Sequence, residues 1–175
     1  MDFFDVVAKR RSVRDYLDNE VEEDKLEKIL EAGNAAPSAG DVQDYEIVVI
    51  KDKQQRQALS LVGGNQGFLA EAPVDLVLVA NQKRSAKRYG ERGMKLYSIQ
   101  DATIAGAYIQ LAATALGLST CWVGRFNDRA VAKLIGANME EGLIPVAIIP
   151  IGYQRSSPEA RPRRDLSDLV HKGKL

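Results

Sequence analysis

The 175-residue chain predicts an α+β or α/β sandwich, a sheet covered by helices. Three observations lead there. Four short runs rich in Val and Ile read as strands, amphipathic stretches between them read as helices, and one long stretch, 102–124, carries no charge and must be covered. In chain order, residues 2–9 suit a short helix with Phe3, Phe4, Val6 and Val7 as its apolar stripe. Asn19 or Glu20 opens a second helix, in which Val21, Leu26, Ile29, Leu30 and Gly33 recur near the 3.6 period. Acids crowd its start, where they favour the positive end of the helix dipole. Residues 34–41, Asn-Ala-Ala-Pro-Ser-Ala-Gly-Asp, form a loop of turn-favouring residues. Tyr45–Ile50 reads as a strand, 53–62 as an amphipathic helix and Pro73–Ala80 as a second strand. The helix expected at about 94–116 is apolar on most faces and rich in Ala, so it should be buried. Cys121–Gly124 makes a third strand, 128–136 a further helix and Leu143–Tyr153 a fourth strand. With no repeat or long linker, a single domain over residues 1–175 is expected.

Composition narrows the chemistry. Lys plus Arg and Asp plus Glu both number 24, so no whole-protein field draws nucleic acid or an anionic membrane, and any anion site must be built locally. One cysteine, Cys121, excludes an intramolecular disulfide and Cys-cluster metal sites, and one histidine, His171, excludes the usual multi-His zinc centres. Cys121 sits in an apolar strand pattern and reads as a small buried hydrophobe, His171 as a surface residue. The first residues lack the basic head and apolar run of a secretory signal, which makes a cytoplasmic protein the expectation. Stretch 102–124 is long enough to span a bilayer, but Thr103, Gln110, Thr114, Ser119, Thr120 and three glycines argue against it.

The common catalytic motifs are missing: no Gly-x-Ser-x-Gly, His-Glu-x-x-His, P-loop or Gly-x-Gly-x-x-Gly. What stands out is basic charge near both ends, Lys9-Arg10-Arg11-Ser12-Val13-Arg14 and Arg161-Pro162-Arg163-Arg164. Arginine presents a planar fork of donors that matches phosphate oxygens. In an extended segment Arg10, Ser12 and Arg14 face one side, and a second cluster folded against them could enclose a phosphate. Charge alone leaves a solvated basic surface equally open.

These clusters stand in order with other motifs. Arg10-Arg-Ser-Val-Arg14, then Ala36-Pro-Ser-Ala-Gly-Asp-Val-Gln43, then Ile99-Gln-Asp-Ala102 with Leu116-Gly-Leu-Ser-Thr-Cys-Trp-Val-Gly124, then Arg161-Pro-Arg163, resemble the FMN-dependent nitroreductase family from about residue 2 to 172. The resemblance implies an α+β fold with a mixed sheet of four to five strands wrapped by helices, made as an intertwined homodimer with FMN at each interface. It implies that Arg10, Arg11, Ser12 and Arg14 meet the phosphate and ribityl chain, and that Arg161 and Arg163 are further phosphate binders. Pro37, Ser38, Ala39, Asp41 and Gln43 would lie in the loop that the partner subunit lays against the flavin. Asn65 and Gln100 would contact the isoalloxazine, and the backbone at Val123-Gly124 would reach N5. The implied activity is oxidation of NADH or NADPH with hydride transfer through flavin N5 to a nitroaromatic, quinone or similar acceptor by a ping-pong mechanism. No protein side chain is expected to be catalytic and no metal is needed, because the cofactor carries the electron chemistry. A flavin reductase or reductive dehalogenase of the same family, or a non-enzymatic FMN or nucleotide binder, are the alternatives. Nucleic acid and membrane are not expected partners. The chain departs from the family pattern at Asp41, commonly Asn, at Asp44-Tyr45, commonly Pro-Trp, and at Phe68, commonly basic. A carboxylate at Asp41 is therefore expected beside the flavin.

Overall fold

A computed structural model describes residues 1–175. Helix α1 spans Phe3–Lys9, α2 Glu23–Asn34, strand β1 Tyr45–Ile50, α3 Lys53–Val62, α4 Phe68–Glu71 and β2 Val74–Asn81. Helix α5 follows over Gln82–Arg92, then a π-helical segment over Gly93–Tyr97, α6 over Ser98–Ala115, β3 over Ser119–Thr120, α7 over Asp128–Ile135, β4 over Leu143–Gly152 and α8 over Leu166–Leu169.

The four strands lie in the order β1-β2-β4-β3 and pair antiparallel, with a bulge between Leu78 and Val79. One parallel contact, the bridge Ser12↔Thr120, fastens the segment after α1 to the β3 edge and completes a mixed sheet. Because side chains alternate across a strand, β2 and β4 feed two cores. Leu76, Leu78, Ile149 and Ile151 pack with Leu26 and Ile29 of α2 and Ile109 and Ala113 of α6. Val77, Val79 and Ile148 pack on the other face with Leu59 of α3, Leu69 of α4 and Val131 of α7. The result is an α+β fold of three layers. Helix α6 comes so close to the sheet that a Cβ at Gly106 would stand 2.4 Å from Leu78 Cδ1 and 2.6 Å from the Trp122 ring, so only glycine fits there.

Several expected boundaries shift for identifiable reasons. The second helix begins at Glu23 rather than at residue 19 or 20, with Glu22 extended as its cap. The long helix begins at Ser98 rather than 94, because the chain first passes through Gly90 at φ 57° and the wider π turn. It is also not covered all round: Ala102, Ala105, Gly106 and Ile109 are buried, but Ile99, Thr103 and Tyr108 stay exposed on this chain. Hydropathy reports that a face wants cover, not that its own chain supplies it. The third strand is Ser119–Thr120, and of the expected Cys121–Gly124 only Val123 bridges to the sheet, exchanging both backbone hydrogen bonds with Ile148. Helix α5 has no counterpart in the sequence reading, since its face is built from cations rather than apolar residues. No helix is long and apolar enough to cross a membrane.

Candidate functional site

Two cavities hold most of the expected site residues. The first, about 530 Å³, is lined by Val7, Ala8, Arg10, Arg11, Ser12 and Arg14 from one end of the chain and by Pro158, Glu159, Ala160, Arg161 and Arg163 from the other. Backbone pairing brings these ends together. Leu17 N–H donates to Tyr153 C=O at 2.8 Å, Arg155 N–H to Asp15 C=O at 3.0 Å, and Arg155 Nε to the Asp15 carboxylate at 3.0 Å across 140 residues of sequence. Ser156 adds a hydroxyl bond to the same carboxylate. On the opposite side, Val13 N–H donates to Thr120 C=O, which fixes the extended run at residues 12–14.

Five guanidinium groups thus face one carboxylate, Glu159, in this cavity. Arg11 is partly engaged, donating to the carbonyls of Ala8 and Arg10 at 2.6 and 2.9 Å, where it caps the end of α1. The guanidinium groups of Arg10, Arg14, Arg161 and Arg163 make no hydrogen bond or ion pair within the chain, so their forks are available to a ligand. Such a set suits a phosphate dianion, because guanidinium groups stay charged at any relevant pH and bind oxygens in pairs. Arg14 also lies 6.0 Å from the centroid of the Phe68 ring, which ties this cavity to the start of α4. Cys121 is buried behind it, its thiol pushed up by burial and drawn back down by Arg14, Ser12 and Arg10.

The second cavity, about 500 Å³, is lined by Pro37, Ser38, Ala39, Tyr97, Ile99, Gln100, Asp101, Thr103 and Ile104. Four expected residues, Pro37, Ser38, Ala39 and Gln100, meet here rather than in the arginine cavity. Their loop is held from several sides. Asp101 accepts Ala39 N–H at 2.9 Å, Ser38 Oγ accepts Gln43 N–H at 3.0 Å, and the Gln43 amide donates to Asn34. From α5, Arg88 donates to Gly40 C=O at 2.6 Å and Arg84 to Val42 C=O at 2.9 Å. Gly40, Asp41 and Gln43 all have positive φ, a cluster of strain that this bracing offsets. Gly40 has no room for a side chain: a Cβ there would lie 2.1 Å from the Tyr89 hydroxyl.

The remaining expected residues lie elsewhere on the chain. Asn65, at φ 56°, is exposed in the turn between α3 and α4. Gln66 beside it donates to Arg125 C=O at 3.3 Å, so this turn borders the segment after Val123-Gly124. Val123 is buried and offers only backbone, while Gly124 is exposed. Asp41 is exposed, its N–H donating to Ser38 C=O and its carboxylate without a hydrogen-bond or ion-pair partner in the chain. Sequence reasoning passed over Asp101, Arg84, Arg88 and Tyr97. Asp101 stood in plain view in the Ile99-Gln-Asp-Ala102 motif, and its short acidic side chain in an apolar helix was the available signal.

A sequence model of the Nitroreductase family matches residues 7–62 and 57–153 of the chain. A Methanothermobacter thermautotrophicus protein, provisionally named as an NADH dehydrogenase/NAD(P)H nitroreductase, is 30% identical over 98% of this chain and 86% of its own length. An FMN reductase [NAD(P)H] of Bacillus subtilis is 28% identical over 94% of this chain and 71% of its own. Among solved structures, nitroreductase A from Vibrio parahaemolyticus superposes with a TM-score of 0.91 at 26% identity, covering 100% of this chain and 77% of that one.

Proposed function

Because the chain belongs to the nitroreductase family, we propose that it is an FMN-dependent oxidoreductase that oxidises NADH or NADPH and passes two electrons to a nitroaromatic, quinone or similar acceptor. The observation that carries this reading is the convergence of Arg10, Arg11, Ser12, Arg14, Arg161 and Arg163 on one cavity in a protein of zero net charge. The donor set fits FMN. A terminal phosphate with about two charges matches forks that have no internal partner, and Ser12 supplies a hydroxyl for phosphate or ribityl oxygen.

When bound, FMN supplies the two-electron carrier, and the chain supplies binding, orientation and electrostatics. The arginines hold the phosphate and fix the cofactor's register. The turns that carry Asn65 and the exposed backbone at Gly124 are joined where Gln66 donates to Arg125 C=O, and these are the groups that would meet the ring. Pro37, Ser38 and Ala39, with Gln100 beside them, line a separate cavity of the same chain, and Asp41 and Gln43 follow in the same loop outside that lining. This separation supports a homodimer in which each chain lends its loop to its partner's cofactor and thereby receives the same. It also supplies an occupant for the exposed side of α6. One open site serving donor and acceptor in turn leads to ping-pong kinetics. A single FMN-binding unit over residues 1–175, a cytoplasmic location, and no nucleic-acid or membrane partner complete the proposal.

An anaerobic absorbance spectrum of the purified protein before and after NADH tests it. A flavin spectrum of about one FMN per chain that bleaches with NADH is expected. A flavin spectrum that neither NADH nor NADPH bleaches would leave a flavin-binding protein without the activity, and a colourless protein that takes up no FMN would overturn the cofactor as well.

A further inference from the structure

Asp44 and Asp101 have no part in holding the cofactor as proposed above, and their arrangement is costly unless it is used. Asp44 stands at the end of the loop just before β1 and is 0% exposed, and neither of its carboxyl oxygens has a hydrogen-bond partner. Asp101, 3% exposed, lies in the first turn of α6, within hydrogen-bonding reach of Asp44. One Asp101 oxygen is already committed to Ala39 N–H. Two buried like charges in contact cannot both ionise, so a single proton between them satisfies the orphan oxygens and removes the repulsion. The other deeply buried carboxyl, Asp75 in β2, lies by strand parity on the α3 side, where burial raises it and Arg56 opposes. It has no second acid to share with.

The surroundings favour holding that proton near neutrality. Burial, and next the neighbouring Asp44, push Asp101 up to about 6, while the Ala39 N–H pulls the other way. The charged and titratable groups facing the pair are Asp41 and Tyr45 on its own segment and Arg84 and Arg88 on α5, which are turned to the carbonyls of Val42 and Gly40. Asp101 is also a wall of the 500 Å³ cavity, with Tyr97, Gln100 and Thr103 around it, a space that takes a one-ring aromatic molecule.

We propose that Asp44 and Asp101 hold one shared proton on the wall of this cavity and that Asp101 delivers it to the acceptor reduced there. The proposal rests on the flavoenzyme reading. A quinone that takes two electrons with one proton still needs a second proton for its other oxygen. The carboxyl O–H bond breaks and leaves its electron pair on the carboxylate, the hydroquinone O–H bond forms, and water returns a proton to the pair. Asp101 is the catalytic acid, and Asp44 is the positioning residue that keeps the proton available. A general acid works best with a pKa near the operating pH, which the burial of the pair arranges.

Asp44→Asn tests this with little disturbance, because its amide still donates to Asp101 but cannot share a proton. Carbon-13 NMR of the full chain labelled at aspartate carboxyls needs no turnover. One carboxyl titrating near pH 6 in the wild type, and moving to the ordinary carboxylate range in Asp44→Asn, is expected. An unchanged titration overturns the shared proton. In stopped flow, dithionite-reduced protein is reoxidised by benzoquinone, which needs protons, or by ferricyanide, which does not. Asp44→Asn is expected to slow benzoquinone about tenfold and leave ferricyanide unchanged. Equal slowing of both, or of neither, overturns proton delivery. A wild type that takes up no FMN sinks the flavoenzyme reading instead, and the NMR titration still reports on the pair.

Discussion

The arginine cavity and the loop cavity are built on opposite principles. The first gathers five guanidinium groups from the two ends of the chain, leaves most of their donors unused, and has no counter-charge beyond Glu159. The second contains a carboxylate, and almost every polar group around it is already spoken for: Ala39 N–H by Asp101, Gly40 C=O by Arg88, Val42 C=O by Arg84, Gln43 N–H by Ser38. An unfinished cavity waits for a charged ligand, whereas a finished one is a shaped surface presented to something else. The contrast teaches that affinity resides in the first region and geometry in the second, and substitutions can separate the two.

The largest effect is expected in the arginine cavity. Arg10→Ala or Arg163→Ala should weaken FMN binding by about 1.5–3 kcal/mol each, the value of a charge-assisted hydrogen bond, with little change in melting temperature. Fluorescence titration of apo-protein with FMN measures it, and equal affinity in wild type and variants would break the comparison. In the loop cavity the order reverses. Gly40→Ala must adopt φ 54° with its Cβ against the Tyr89 hydroxyl, and should cost about 1–3 kcal/mol of stability in urea unfolding while the arginine cavity keeps its affinity for free phosphate.

Acidity separates the regions again. A carboxyl raised above its unfolded value stabilises the fold most at pH below that unfolded value, and its contribution is lost as pH rises through the folded value, here about 6 for Asp101. Unfolding midpoints should therefore fall between pH 4.5 and 7.5 by the equivalent of about 1–2 kcal/mol, and Asp101→Asn should flatten that fall. Phosphate affinity of the arginines has no such dependence once the phosphate itself is fully ionised. The smallest effect belongs to Asp41. It is exposed and unpaired, so Asp41→Asn should leave FMN affinity unchanged and raise the two-electron midpoint potential slightly. Dye-equilibration potentiometry checks it, and an unmoved midpoint places the carboxylate away from the ring.

The same contrast explains what was legible in the sequence. Arg10, Arg14, Arg161 and Arg163 were visible because clustered charge stands out in a neutral chain, Ser12 because it sits between two of them, and strands such as Tyr45–Ile50 because their apolar pattern is local. The bracing of the loop was not visible. Arg84 and Arg88 act on backbone carbonyls, which every residue has, so no residue type marks their targets. Helix α5 lacked an apolar stripe, and the π turn at Gly93–Tyr97 has no pattern of its own. Asp44 looked like a loop residue departing from a family pattern. Only the packing of α6 against β1 shows that it is buried against a second acid.

The zipper that joins residues 15–17 to 153–156 bears on the order in which a nascent chain acquires its parts. Synthesis runs from the amino end, so Arg10 and Arg14 leave the ribosome early but lack their opposite wall until β4 has docked and Arg161 and Arg163 have followed. Closing so long a loop is entropically costly, and its cost is met by sheet pairing rather than by the arginines, which repel one another. Phosphate capture by these arginines, as proposed above, would thus be the terminal event of assembly. A ligand that binds only the closed form adds its binding free energy to the folded state, so cellular supply of the phosphate ligand should set how much of this chain survives proteolysis.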